Sequence, residues 1–275
     1  SILRGVLFYI VFSLNKIYYF YIKPINLFIL ILSTSFLINP NYLYDIGFQY
    51  SYLISFSLII SSKYLSSEKY LISLFKVSLL SLITSLPITL YNFHELNFLS
   101  LIYNLFYVPL ISLLIFPLAL LTVIFKPITP IFNLLTTFLE KSSLLLNRIS
   151  IGKFIFKRVS NYIYLLYLLL VIIYLIKRRK QILFIILTLL IIHYSLPFFD
   201  TSNYLKMLDI GQGDSILIHS HNKNILIDTG GVTNYGSQNT DGEIYHNTIS
   251  PCFKSLGISK LDYLILTHGD ICTCT

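Results

Sequence analysis

"YLKMLDIGQGDSILIHS", Tyr204–Ser220, is where this chain changes character. Upstream of it apolar residues run on for helical lengths; within it they alternate, break around Gly211 and Gly213, and resume. Alternation with period two on either side of a glycine turn reads as one strand followed by a second at 215–219. The same signal recurs downstream. "KNILIDTGG" gives a third strand at 224–228 that ends on Asp228 and two glycines, and "LDYLILTH" gives a buried strand at 262–266. Between these, 232–248 is polar and turn-rich, while "TISP" starts a short helix over 249–257. A hairpin, a long loop, a helix and another strand predict a layered α/β domain.

The rest of the chain has a different solvent. Of the 275 residues, 55% are hydrophobic and only 12% charged, about half the charge of an ordinary soluble domain. The apolar residues come in long runs, which excludes a purely soluble protein and points to lipid. Candidate spans are 3–22, 25–38, 46–62, 70–91, 98–125, 160–176 and 181–197, with 25–38 short enough to be re-entrant. Residues 1–200 hold 16 Lys/Arg against 5 Asp/Glu, whereas 201–275 hold 4 against 7 together with 8 of the 11 glycines. The predicted organisation is therefore a basic, polytopic α-helical membrane domain over 1–200 and a mildly acidic soluble domain over 201–275.

Within 98–125, Pro109 and Pro117 each remove a backbone donor, so this span is either a kinked helix or a discontinuous one lining a pathway. Residues 126–158 are apolar but punctuated by charge, as in an amphipathic interfacial or pore-side helix. Arg148, Lys153, Lys157 and Arg158 precede span 160–176, and Lys177, Arg178, Arg179 and Lys180 follow it. Cytoplasmic loops collect Lys and Arg, and the denser cluster at 177–180 takes that side. Helix 181–197 then runs outward and leaves the tail on the outer side. The cluster at 148–158 is stranded there. Either an anionic polymer holds it, or 160–176 does not span, or charge counting fails for this loop.

The tail carries the candidate chemistry. "LDIGQGD" lacks both the GxGxxG spacing and a following Lys-Ser/Thr, so it is no phosphate loop. Asp209 and Asp214 there, and Asp228 at its strand end, serve equally well as turn caps. His268 and Asp270, two residues apart just after a strand, are of the types that zinc or manganese accepts while leaving a position for water. Two ligands do not hold a catalytic metal. Cys252, Cys272 and Cys274 are too few for a disulfide framework, and the last two have the wrong spacing for a zinc ribbon.

"MLDIGQGDSILI", "ILIDTGG" and "LGISKLDYLILTHGD" together resemble the start of a metallo-β-lactamase-like domain, in the variant fused to the ComEC-type competence family of DNA-uptake channels. "SILRG" at the start, "NPNYLYDIGFQYSYLISF" at 39–56 and "LPITLYNFHELNFLSLIYNLFYVPL" at 86–110 resemble successive parts of that family's membrane domain. Arg4, Asp45, Phe48, Gln49, Ser51, Pro87, Phe93, His94, Asn104 and Pro109 occupy its characteristic positions. The resemblance implies a competence protein of the cytoplasmic (inner) membrane that passes single-stranded DNA across it, among lipid, other competence proteins and further copies of itself. It also implies an αββα nuclease-like domain with a divalent metal, zinc or manganese. In it His268 and Asp270 match the first two ligands, Asp270 is the catalytic candidate, and Asp209, Gln212, Asp214 and Asp228 support the active-site loops. Arg148, Lys153, Lys157 and Arg158 are candidate contacts along the DNA path.

The chain also departs from the family pattern. The aspartate and histidine expected next are Cys272 and Thr273, and the second half of the hydrolase fold does not follow. Upstream membrane helices and a small OB-like domain are absent too. The sequence is expected to be a fragment truncated at both ends that binds catalytic metal weakly or not at all. Two alternatives are a membrane-anchored metal-dependent phosphodiesterase and a non-functional fragment.

Overall fold

The computed structural model describes residues 2–19, 21–66, 69–147, 152–210, 214–221, 223–229 and 245–267. All seven candidate spans are helices. They are α1 (Ile2–Ile17), α2 (Pro24–Ile38), α3 (Ile46–Leu65), α4 (Tyr70–Phe93), the pair α5 (Ser100–Pro109) and α6 (Phe116–Ile124), and, after α7 (Thr129–Asn147), α8 (Asn161–Lys177) and α9 (Lys180–Ser195). Among the described residues, three helices are long and apolar enough to cross a bilayer: Tyr70–Phe93, Ser100–Ile124 and Lys180–Phe199. Residues Leu7–Ile17 of α1, α2 and α8 are shorter apolar helices. The serines, Gln49 and Lys63 of α3 make it less apolar than the three.

The prolines at 109 and 117 do not break their span. Between α5 and α6 the backbone passes through a π-helical turn, Leu110–Ile115, so Ser100–Ile124 is one helix with its irregularity bracketed by the two prolines. A π turn absorbs the missing N–H donors without ending the helix. The amphipathic segment expected at 126–158 supplies α7, and Tyr107 of α5 donates its hydroxyl to Ser142 of α7 at 3.0 Å.

The chain divides into two compact units. One comprises Ser1–Ile88, Asn97–Lys153 and Val171–Arg178; the other comprises Thr89–Leu96, Phe154–Leu170 and Arg179–Thr275. In the first, Phe28, Ile31, Phe48 and Tyr52 form a buried cluster flanked by Phe8, Phe36 and Phe56. The Tyr52 and Ser35 hydroxyls bond at 2.6 Å inside it, which satisfies two polar groups that would otherwise be stranded among rings. Several residues singled out from the sequence have local reasons to be there. Asp45 caps α3 by accepting the Gly47 N–H at 2.8 Å, and Gln49 donates to the Leu43 carbonyl at 2.8 Å. Phe48 is core, Ser51 lies in α3, Pro87 lies within α4, and Asn104 and Pro109 lie in α5. Arg178, just past α8, donates to the fully buried Ser61 hydroxyl of α3 and lies 4.3 Å over the Tyr64 ring.

The second unit contains the tail. Strands β3 (Tyr204–Met207), β4 (Ile216–Ser220), β5 (Lys223–Ile227) and β6 (Tyr263–Ile265) form one sheet in that order, after a short ribbon of β1 (Glu95–Asn97) and β2 (Lys153–Ile155) earlier in the chain. β3–β4 and β4–β5 are antiparallel; β5 and β6 are parallel, joined through α10 (Ser250–Leu256). Leu217 (0% exposed) and Leu226 (2%) point from the central strands to Ile249, Phe253 and Ile258. Fully burying each such leucine is worth roughly 2 kcal/mol. Gly257 ends α10 in the left-handed region, φ +78°, where a residue without Cβ is favoured.

Candidate functional site

The site predicted at the end of the tail's strands begins with Asp228. It follows β5 and takes φ +53°, a left-handed conformation that costs a non-glycine residue roughly 1–2 kcal/mol. Four hydrogen bonds hold it there. Its N–H donates to the Ile265 carbonyl at 2.8 Å, and its own carbonyl accepts the Ser215 hydroxyl at 2.8 Å. Its carboxylate accepts the Thr267 N–H at 2.8 Å through Oδ1 and the Thr267 hydroxyl at 2.6 Å through Oδ2. Ser215 is 2% exposed and accepts the Leu208 N–H at 2.9 Å. The ends of β5 and β6, with Ser215 and, through it, Leu208, are thus drawn to one aspartate. Strain held in place by surrounding bonds is a mark of functional sites.

Asp209 and Asp214 are both exposed. His268, Asp270, Gln212 and Arg148 lie outside the described residues, as does the side chain of Arg4. Among the described residues no group of three or more His, Cys, Asp or Glu could hold a metal ion. Asp228 accepts from Thr267 through both carboxylate oxygens, a support that ties the end of β5 to the end of β6. Thr267 and Ser215, which complete that support, went unnoticed in the sequence. The adjacency of Thr267 to His268 was the available signal, whereas the left-handed turn at Asp228 leaves no compositional trace.

The basic stretch is the second candidate. Lys153 opens β2, and Lys157 and Arg158 follow it in extended chain. The Lys157 ammonium pairs with Asp200, beyond α9. That hydrogen bond, helped by one from Ser202, lowers the Asp200 carboxyl to about 2. The Lys157 carbonyl accepts the Nε2–H of His193 (2% exposed) at 2.8 Å, leaving His193 Nδ1 facing the Tyr167 hydroxyl at 3.4 Å. Residue 94 is the other histidine of this neighbourhood. His94 has φ +53° and an unpartnered, buried Nδ1. Burial first, then the Arg158 charge, lowers its pKa.

Comparison with known proteins matches the competence protein family over residues 1–181. This chain belongs to that family. The metallo-beta-lactamase superfamily matches residues 208–271, which contain the strand-end site. Among curated proteins, ComE operon protein 3 of Bacillus subtilis (strain 168) is 27% identical over 216 residues, covering 70% of this chain and 28% of that protein. The chain therefore spans well under half of that relative's length. No solved structure matches it. Both the helical domain of a competence protein and the small sheet of a metallo-beta-lactamase-like domain follow in the order expected from the sequence.

Proposed function

We propose that this chain belongs to the DNA-uptake apparatus of a naturally transformable cell. Its helical part, 1–200, contributes to the passage of single-stranded DNA across the cytoplasmic membrane, and its tail, 201–275, is the first part of a nuclease-like domain. The observation that carries this reading is the succession, in one chain, of a competence region over 1–181 and a metallo-beta-lactamase-like region over 208–271. A protein needing only an anchor for a phosphodiesterase has no use for α1 to α8. In the tail, His268 and Asp270 are the candidate metal ligands, with Asp270 the candidate catalytic group and Asp228 holding the strand end before them. With Cys272 and Thr273 next, that pair is an incomplete ligand set for zinc or manganese.

The proposed orientation puts the tail outside. Arg178 at the end of α8 reaches Ser61 and Tyr64 at the end of α3, so the two helix ends share a side. Lys63 and the 177–180 cluster then sit together, and Lys/Arg-rich ends are cytoplasmic. α9 starts from that cluster and leads outward. DNA, lipid and other competence proteins are the proposed partners, with Arg148, Lys153, Lys157 and Arg158 the candidate contacts along the DNA path; self-association is part of the proposal.

The test replaces the chromosomal copy with a deletion, then with the intact chain. Uptake of labelled DNA into a nuclease-protected compartment falls on deletion and returns with the chain. Unchanged uptake in the deletion strain overturns the reading.

A further inference from the structure

Away from the strand-end site, four stretches of the second unit meet: the turn after α4, residues 154–158, the end of α9 with Pro197 and Asp200, and the end of α10. The first three are bound to one another. The Phe156 N–H donates to the His94 carbonyl at 2.8 Å, His193 Nε2–H donates to the Lys157 carbonyl at 2.8 Å, and Lys157 pairs with Asp200. Onto this junction α10 places its last turn. Lys254 pairs with Glu95 at 2.6 Å, the Ser255 carbonyl accepts the Arg158 N–H at 2.7 Å, and Gly257 lies against Pro197 and Lys157. A Cβ on Gly257 would stand 2.6 Å from Pro197 Cγ and 3.1 Å from Lys157 Cβ, closer than atoms tolerate.

We propose that the tail is clamped to this junction through α10, and does not swing on the link between α9 and β3. A tethered domain touches only the chain that leads into it. Here one helical turn reaches three separate segments, at Glu95, at Lys157–Arg158 and at Pro197, by a charge pair, a main-chain bond and a close approach that only glycine allows. The ion pair alone is a weak hold, since both side chains are partly exposed. The main-chain bond and the glycine contact are not screened by water in that way. The clamp has a consequence for the strand-end site. α10 passes through Gly257 and Ile258 into β6 and Thr267, so fixing its end fixes the strand that leads to His268. It also gives Lys157 an occupation inside the protein, its charge facing Asp200. None of this depends on the transport reading; a clamped tail suits a tethered hydrolase equally.

Amide hydrogen exchange on the full chain in nanodiscs tests the clamp, read at the single amide of Arg158 and, as a folding control, at Leu226 in β5. In the wild type both are protected. Glu95→Lys or Lys254→Glu accelerates the Arg158 amide about tenfold, the paired exchange Glu95→Lys/Lys254→Glu restores it, and Leu226 stays slow throughout. Gly257→Val, which drives a branched side chain into Pro197, releases Arg158 further. If Gly257→Val also unfolds the tail, Leu226 reports it and the charge-exchange series decides. An Arg158 amide that exchanges freely in the wild type while Leu226 is protected overturns the clamp. So does an Arg158 amide unmoved by either single charge reversal.

Discussion

The helical and sheet regions spend their polar groups differently. Along the helices, hydroxyls turn inward on their own backbone: Thr34, Ser35, Thr84, Ser112, Thr136 and Thr188 all donate to a carbonyl four residues earlier. In the tail, polar side chains reach across the sequence. Ser215 bonds Asp228, thirteen residues on, and Asp228 bonds Thr267, thirty-nine residues on. Asn224 takes its N–H to Asp262, thirty-eight residues away. The difference follows from the solvent. In hydrocarbon an unpaired hydroxyl is costly, and the nearest certain partner is the preceding turn. In a small water-bathed sheet the register must be fixed by something besides a thin core, and long-range hydrogen bonds do it. Apart from the Ser35–Tyr52, Tyr107–Ser142 and Arg178–Ser61 contacts, polar residues in the helices are tolerated; those in the tail are structural.

That contrast predicts a graded set of losses. The largest should come from the tail's core. Leu226→Ala removes a fully enclosed side chain from the centre of the sheet and should cost about 2–5 kcal/mol, read as loss of amide protection across β4 and β5 with α4 unchanged. Next comes Asp228→Ala, which removes two hydrogen bonds from Thr267 to a carboxylate and should cost about 2–3 kcal/mol. Asp228→Gly loses the same bonds but relieves the left-handed backbone, so it should be milder by about 1 kcal/mol. If glycine proves as damaging as alanine, the strain at Asp228 is not part of the balance.

These sites were not equally readable in the sequence. All four tail strands and α10 were legible because alternation, a glycine turn and a Ser-Pro helix start are local signals; each predicted strand lies within two residues of the one found. The helices were legible for the same reason, since an apolar run needs no partner to announce itself. The support of Asp228 by Thr267 and Ser215 was not. It depends on β5 and β6 lying side by side, which no local pattern specifies. Lys157 shows the limit from the other direction. Its neighbours in sequence made it part of a basic cluster, while its charge partner, Asp200, lies forty-three residues away beyond two helices. The prolines of the α5–α6 helix left two readings open, because the sequence cannot say whether a π turn will absorb them.

Smaller effects should appear with pH at the junction of α4, α9 and the tail. His94 is half-buried beside Arg158, and burial first, then the Arg158 charge, lowers its pKa. The unfolded chain therefore binds a proton there that the folded chain does not. Stability contributed by neutral His94 is present above about pH 6.5 and declines as the pH falls below it. His94→Asn tolerates the left-handed backbone and cannot titrate, so it should flatten that decline. Asp200, lowered to about 2 by its bond from Lys157, behaves in the opposite range. Its contribution is intact above about pH 4 and is lost only as the pH falls toward about 2. The protection factor of the Arg158 amide, taken against its intrinsic exchange at each pH, should fall from about pH 7.5 to about 5 in the wild type and stay level in His94→Asn, while Asp200→Asn leaves the slope of that fall unchanged. A wild-type protection factor level across that range would remove His94 from the account.

The smallest effect is the most direct test of the opening contrast. Thr188 is exposed on α9 and its hydroxyl donates to the Phe184 carbonyl at 2.9 Å. Thr188→Val keeps the shape, removes that bond, and leaves a carbonyl that is already engaged in the helix ladder. The expected change is within about 0.5 kcal/mol, measured as thermal unfolding in detergent. Ser215→Ala removes one hydroxyl as well, yet it takes the partner from the Asp228 carbonyl in a residue 2% exposed and should cost about 1–3 kcal/mol. The ratio between the two is what matters. If both changes prove equally mild, long-range polar bonds do not set the tail's register, and the thin core of Leu217, Leu226 and Phe253 must do so alone. If both prove equally severe, the hydroxyls of the helices face protein and not lipid, and the α9 surface bearing Thr188 is an interface in the assembled membrane protein.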